Sequence, residues 1–320
     1  MLGKLSFDDV DFLVKLSRMY YDEERPQKEI ADYFNISRSQ VSKYLSKAKR
    51  LGIVETIIHD NTANRYVDLE SEIQKLFGLD HVVLCSTVDA ANQKNQLAQA
   101  ARDYFLRILK PNSIIAVSAG TTVHLMASSY PYTSPMESLT FVPLSGGLGK
   151  THQDIQANVV CELFSQHSGG HFLQLHAPII VDSSFTKSIL LKETFVDSIF
   201  SVCKKADICL LGIGNAPIYE EMRATYLANS EVTNVDREIV VGDVSYNFID
   251  KNGEIVDCAW NNQVIALNLS DLKGIPIRLG IAGGPEKVSA IAAAIQGKIV
   301  NSLVTDVNTA QKLLKYKQLK

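Results

Sequence analysis

Residues 275–297, IPIRLGIAGGPEKVSAIAAAIQG, read as a short apolar run, a glycine-bearing turn and a longer apolar run. The first has the length of a strand and the second that of a helix. The same order recurs from His81 onward. HVVLC precedes a helix around 92–109, SIIAVS a helix after Gly120, and LTFVPLS a helix from about 154 to 165; the shorter FLQLHA and the stronger ADICLLGIG follow, and SLVTD precedes NTAQKLLKY. Short apolar runs alternating with longer amphipathic ones predict an α/β fold with a mainly parallel sheet and helices on both faces. Ligands of such folds sit beyond the carboxyl ends of the strands.

Those strand ends carry small residues or polar clusters: SAGTT at 118–122, SGGLG at 145–149, GIGN at 212–215 and AGGPEK at 282–287. Glycine lets backbone N–H groups approach an anion, and a following helix adds its positive dipole end. Gly120, Thr121 and Thr122, opening a helix, are the first phosphate candidates, with Lys287 as counter-charge. A glycine at such a turn is also often a tight bend and nothing more. No Walker sequence occurs, and no GxGxxG follows a strand with an acid about twenty residues on, so nucleotide or dinucleotide binding is poorly supported. GDVSYNFIDKNG at 242–253 adds Asp243, Asn247 and Asp250. Carboxylates that accept hydrogen bonds from hydroxyls suit a polyol, but DKNG at 250–253 is equally ordinary turn chemistry.

The front of the chain differs in kind. Val10, Leu13, Val14, Leu16 and Met19 form one helical stripe within 7–21, and the break at Glu24, Arg25 and Pro26 ends it. QKEIADYF at 27–34 is a second short helix stopped by Asn35, a residue that tolerates left-handed backbone. Ser37 and Gln40 have the spacing of a capping box, and Val41, Tyr44, Leu45 and Ala48 then repeat helically to Gly52. Two helices about four residues apart, the second opening on exposed Ser, Arg, Ser and Gln, match a helix-turn-helix. The net charge of −3 conceals a local patch: 34–54 holds no acid, while Arg38, Lys43, Lys47, Lys49 and Arg50 lie within it. Duplex DNA is therefore the expected partner, with Gln27, Ser37, Arg38, Ser39, Gln40, Ser42, Lys43 and Lys47 as its contacts. Arg and Gln suit base edges, and Ser and Lys suit phosphate oxygens. Lys49 and Arg50 are further phosphate neighbours.

The boundaries that follow are 1–56 for the helix-turn-helix, 57–78 for a linker helix with a stripe of Leu69, Ile73, Leu76 and Phe77, and 79–320 for the α/β part. IVETIIHD at 53–60 reads as a short strand or wing, and the linker helix as one that also packs on a partner subunit. The five cysteines are scattered and unpaired in spacing, which predicts reduced core thiols. Asp8, Asp9 and Asp11 interrupt any secretory signal, and no segment runs 18 apolar residues, so a cytoplasmic protein without membrane spans is expected. No metal is expected: His167, His171 and His176 lack a neighbouring carboxylate or cysteine in ligand spacing. An isomerase or deaminase acting on a sugar phosphate is the rival reading, with His124 as its natural suspect, yet no base with an orienting partner stands out.

In order and spacing, YYDEERPQKEIADYFNISRSQVSKYLSKAKRLGIV, SAGTTV, VPLSGG, ADICLLGIG, VGDVSYNFIDKNG, IRLGIAGGPEKVSAIAAAIQG and VNSLVTDVNTA resemble the SorC family of sugar-responsive bacterial regulators over essentially the whole chain. The resemblance implies an N-terminal all-α helix-turn-helix domain plus a larger Rossmann-like α/β domain of the sugar-phosphate isomerase/deaminase type. In it enzymatic activity has given way to binding of a small phosphorylated sugar, without cofactors, in dimers and tetramers on paired operator sites. Carried over, the resemblance makes 120–122 the phosphate loop and Gly146 and Gly147 a second loop. It makes Gly212 and Gly214 a third wall, Asp243 and Asp250 hydroxyl or structural partners, and Lys287 the phosphate-side cation. One branch of the family places an imine-forming lysine directly before the paired glycines; Ser145 stands there, and Lys150 is five residues on, so noncovalent binding is expected.

Overall fold

A computed structural model describes residues 10–55, 66–86, 92–131, 136, 138–149, 152–215 and 239–318. The chain divides into two compact units, 1–65 and 66–320.

In the first unit α1 (Val10–Tyr21), α2 (Gln27–Phe34) and α3 (Arg38–Arg50) surround one small core. The stripes read from the sequence meet there: Leu13 and Leu16 of α1, Ile30 and Ala31 of α2, and Val41, Leu45 and Ala48 of α3 are all buried. Phe12 sets its ring edge-on against Phe34 at 4.9 Å and Tyr44 at 5.2 Å, which ties all three helices together. The wing expected at 53–60 lies mostly outside the described residues, as do the first nine residues and Lys150.

The second unit begins with α4 (Val67–Phe77), β1 (His81–Cys85), α5 (Gln93–Ile108), β2 (Ile114–Val117), α6 (Thr121–Ser128), β3 (Thr140–Pro143), α7 (Ala157–Ser168) and β4 (His171–Phe172). It continues through α8 (Ser184–Leu190), α9 (Thr194–Cys203), β5 (Ile208–Asn215), β6 (Gly242–Val244), β7 (Asn247–Ile249), α10 (Ala259–Gln263) and α11 (Leu269–Leu272). It ends with β8 (Ile277–Ile281), α12 (Val288–Gln296), β9 (Ser302–Asp306) and α13 (Val307–Gln318). Seven strands run in the order β1-β9-β8-β5-β2-β3-β4, every neighbouring pair parallel. The alternation of side chains explains why these strands read as unbroken apolar runs. Ile208 and Leu210 of β5 enter one core with Phe105, Phe141 and Phe164, whereas Cys209, Leu211 and Ile213 enter a second on the opposite face.

From β2 the chain moves outward to β3 and β4, and after β5 it moves the other way to β8 and β9. The order therefore reverses between β2 and β5, the place where such sheets open a crevice. At the far edge, the buried Glu70 of α4 accepts a hydrogen bond from the Leu84 N–H of β1 at 2.8 Å. The thiols of Cys161, Cys203, Cys209 and Cys258 are buried and that of Cys85 half-buried. Burial raises the pKa of each, to about 12 for Cys85.

Two features depart from the sequence expectation. The segment 242–253, to which the sequence reading assigns no strand, carries two: β6 pairs antiparallel with β5 and with β7, forming a hairpin on the central strand. Its turn places Ser245 at φ 49° and Tyr246 at φ 63°, both left-handed, as two-residue hairpin turns require. Such turns normally use Asn or Gly, so this one gives no signal in the sequence. It is held from outside: Asn247 Nδ2 donates to the carbonyls of Ser245 at 3.2 Å and Leu267 at 3.3 Å, and Trp260 Nε1 donates to that of Tyr246 at 2.7 Å. The helix expected from about 154 instead begins at Ala157, because Gln153–Ile155 form a 3-10 turn first.

Candidate DNA-reading helix and effector cavity

In the first unit Ser37 caps α3. Its Oγ accepts from the Gln40 N–H at 3.2 Å, and Gln40 Oε1 accepts from the Ser37 N–H at 2.8 Å, so two orphan donors are satisfied reciprocally. Asn35, at φ 52°, turns the chain between the helices. Ser37, Arg38, Ser39, Gln40, Ser42 and Lys43 are exposed on the opening turns of α3, while Gln27 and Lys47 are half-buried. The Gln40 carbonyl oxygen is committed to the cap, so a bidentate contact with a base would cost that bond; Arg38 and Lys43 carry no such commitment. Lys49 lies over the Tyr21 ring at 5.6 Å, which draws its charge toward α1.

In the second unit a cavity of about 430 Å³ opens at the carboxyl ends of β2 and β5, where the strand order reverses. Gly120, Thr121, Thr122, Gly212, Gly214, Asp243 and Lys287 all line it, so the structure brings seven of the ten sequence-derived effector residues to one place. Gly120 has φ 130° and ψ 153°, a backbone region closed to side chains, and turns the chain into α6. No side chain caps α6. Its first N–H groups and dipole end are the kind of site that suits an anion. The Gly120 N–H itself donates to the Ile155 carbonyl at 3.0 Å, tying the loop to the 3-10 turn. On the β5 side, Ser118 Oγ accepts from the Gly212 N–H at 3.0 Å.

Opposite charges meet in the same cavity. Lys287 is half-buried and donates to the Ile213 carbonyl at 2.8 Å. Desolvation lowers its pKa, and Asp243 opposes that by favouring the charged form. Asp243 is buried; its Oδ2 accepts from the Tyr246 N–H at 3.2 Å, and its Oδ1 has no partner. Burial pushes its pKa up to about 6, against the opposite pull of the Tyr246 N–H and of Lys287. An acid held near neutrality with one free acceptor is suited to take a hydrogen bond from a ligand hydroxyl.

Three expected residues lie elsewhere. Gly146 and Gly147 turn inward to other backbone, their N–H groups donating to Ile265 at 2.9 Å and Ala177 at 2.8 Å. A Cβ on Gly146 would collide with the Pro178 carbonyl, so packing alone demands that glycine. Asp250 folds onto its own turn, accepting from the N–H groups of Asn252 at 2.8 Å and Glu254 at 2.9 Å. The sequence did not single out Lys94, His152, Asn215, Ser245, Tyr246 and Glu286, which also line the cavity. The only signal for Ser245 and Tyr246 is their place between Val244 and Asn247, just after Asp243. Among the histidines, His124 is absent from the lining. His167 bonds the Ala127 carbonyl at 2.9 Å and His176 stacks on Phe195, so no metal-ligating trio forms among the described residues.

Residues 61–315 match the sugar-binding domain family, and residues 18–50 match region 4 of sigma-70 factors, a segment that spans the helix-turn-helix. The sorbitol operon regulator of Klebsiella pneumoniae is 28% identical over 313 residues, 96% of this chain and 99% of that protein. The deoxyribonucleoside regulator of Bacillus subtilis is 28% identical over 306 residues, 94% of this chain and 96% of that one. The crystal structure of the full-length sorbitol operon regulator SorC from K. pneumoniae superposes with a TM-score of 0.75 at 27% identity, covering 96% and 99% of the two chains. These relatives are regulators, not isomerases. No helix among the described residues is long and apolar enough to cross a membrane.

Proposed function

Because the chain belongs to the SorC family of transcription regulators with a sugar-binding domain, we propose that it binds operator DNA through α3 and that a phosphorylated sugar in the cavity controls this binding. The observation that carries the proposal is the pairing, within one cavity, of an uncapped helix terminus with a half-buried lysine and a carboxylate oxygen that lacks a partner. Phosphate oxygens take the N–H groups of α6 and the charge of Lys287; sugar hydroxyls take Asp243. The sugar binds without a covalent bond, since the place of the imine-forming lysine is held by the buried Ser145. The protein works in the cytoplasm as a dimer or tetramer. Paired half-sites demand a fixed separation of recognition helices, so a ligand that shifts subunit packing changes operator affinity.

The test is a gel-shift titration of the full chain on the DNA upstream of its own gene, across a panel of sugar phosphates and their unphosphorylated parents. At least one sugar phosphate is expected to change operator affinity while its parent does not, and Lys287→Met is expected to abolish the response without weakening ligand-free DNA binding. A flat response to the whole panel refutes the proposal.

A further inference from the structure

The hairpin turn of β6 and β7 sets in the cavity wall two residues whose buried polar atoms the fold leaves unpaired. Asp243 Oδ1 and Ser245 Oγ are both buried and without hydrogen-bond partners, and both residues line the cavity. They stand two apart on the same short hairpin. The rest of the turn is tied down: the carbonyls of Ser245 and Tyr246 accept from Asn247 and Trp260, and the Tyr246 N–H donates to Asp243. Only these side-chain atoms are left over.

Ser245 is a costly choice for its place. Its φ of 49° lies in the left-handed region, where glycine or asparagine sits at less cost. Glycine would supply that backbone and would leave no hydroxyl stranded in a buried site. The hydroxyl therefore adds nothing that the turn requires, and it is fixed in position by a turn that cannot easily relax.

We propose that Ser245 is the specificity-determining residue of the cavity: its hydroxyl and the Asp243 carboxylate together read two hydroxyl groups of the ligand, so that the effector is a phosphorylated sugar or polyol that retains both. The inference rests on the phosphorylated-sugar reading above and narrows it. A carboxylate only accepts, whereas a serine hydroxyl both donates and accepts, so the pair matches a hydroxyl-bearing chain and not a deoxygenated one. A ligand that lacks one of these hydroxyls leaves a buried group unpaired, which amounts to roughly ten- to hundredfold in affinity.

The experiment is calorimetric titration of the full chain with two matched pairs, ribose 5-phosphate against 2-deoxyribose 5-phosphate and glucose 6-phosphate against 2-deoxyglucose 6-phosphate. In at least one pair the hydroxylated member is expected to bind about tenfold or more tightly. Ser245→Gly, which suits the left-handed backbone and removes the hydroxyl, is expected to bring the two members within about twofold by weakening the hydroxylated one alone. Unchanged emission from Trp260, the only tryptophan, verifies that the turn is intact, and Ser245→Ala serves as the second variant. Equal affinities within both pairs, or a preference that survives in both variants, overturns the role of Ser245 while phosphosugar binding stands. No saturable binding of any of the four compounds overturns the phosphorylated-sugar reading and this one with it.

Discussion

Replacing Asp243 with asparagine is expected to make the protein more stable and less able to bind. The carboxyl titrates near 6 in the fold, against an ordinary 3.8. Between those values the folded chain holds a proton that the unfolded chain has released, so stability falls as pH rises from about 4 to 6 and stays lowered above. At about 1.36 kcal/mol per pH unit the accumulated cost is about 3 kcal/mol at neutral pH. This cost already includes the attraction of Lys287, which pulls the pKa in the other direction. Asparagine keeps an acceptor for the Tyr246 N–H and has no charge to desolvate, so it should recover most of that sum. For a domain of this size the gain corresponds to a rise in melting temperature of roughly 6–12 °C.

Trp260 is fully buried and bonded to the turn that holds Asp243, so its fluorescence follows unfolding where the charge sits. Urea titrations of both proteins from pH 4 to pH 8 should give curves that meet near pH 4 and separate above pH 6, with the variant more stable. If the variant gains nothing at pH 7.5, or if its advantage is the same at every pH, desolvation of Asp243 is not what raises its pKa. Weaker binding of phosphosugars by the stabilised variant would mark this carboxylate as a place where function is kept at the expense of stability.

Two further outcomes concern the DNA-reading unit. Replacing Arg38 and Lys43 together with alanine should reduce the dependence of operator affinity on salt, by about 0.9 in the log–log slope for each phosphate that is no longer neutralised; an unaltered slope would remove α3 from the interface. Ser37→Ala breaks the reciprocal cap with Gln40, and should cost the first unit about 1 kcal/mol, seen as an earlier helical melting transition by circular dichroism and as weaker operator binding at fixed salt.

What could be read from the sequence followed from how each signal arises. The central strand β5 was legible because it is buried on both faces, so ICLLGIG reads as a short apolar run. The capping box of α3 was legible because one local spacing makes it. Glycines were only half legible. Gly120 and Gly146 look alike in sequence, yet the first has a backbone only glycine adopts easily and lines the cavity, while the second yields to the Pro178 carbonyl. The hairpin was illegible because Ser245 and Tyr246 hold a turn that their residue types do not favour, with bonds donated from Asn247 and Trp260. Helix α8 left no stripe because none of its residues is buried. Lys94 reaches the cavity from α5, and nothing in its own neighbourhood announces a site shared with residues far along the chain.

The bond from the Leu84 amide to Glu70 bears on how copies of the chain can associate. An outermost strand with unpaired amides invites another strand to dock and continue the ladder. Here a carboxylate already occupies one of those positions on β1, and the opposite margin, β4, is only two residues long. A strand that docked on β1 would have to displace that carboxylate, and one that docked on β4 would find only two residues to pair with, so neither border of the parallel sheet is an open template.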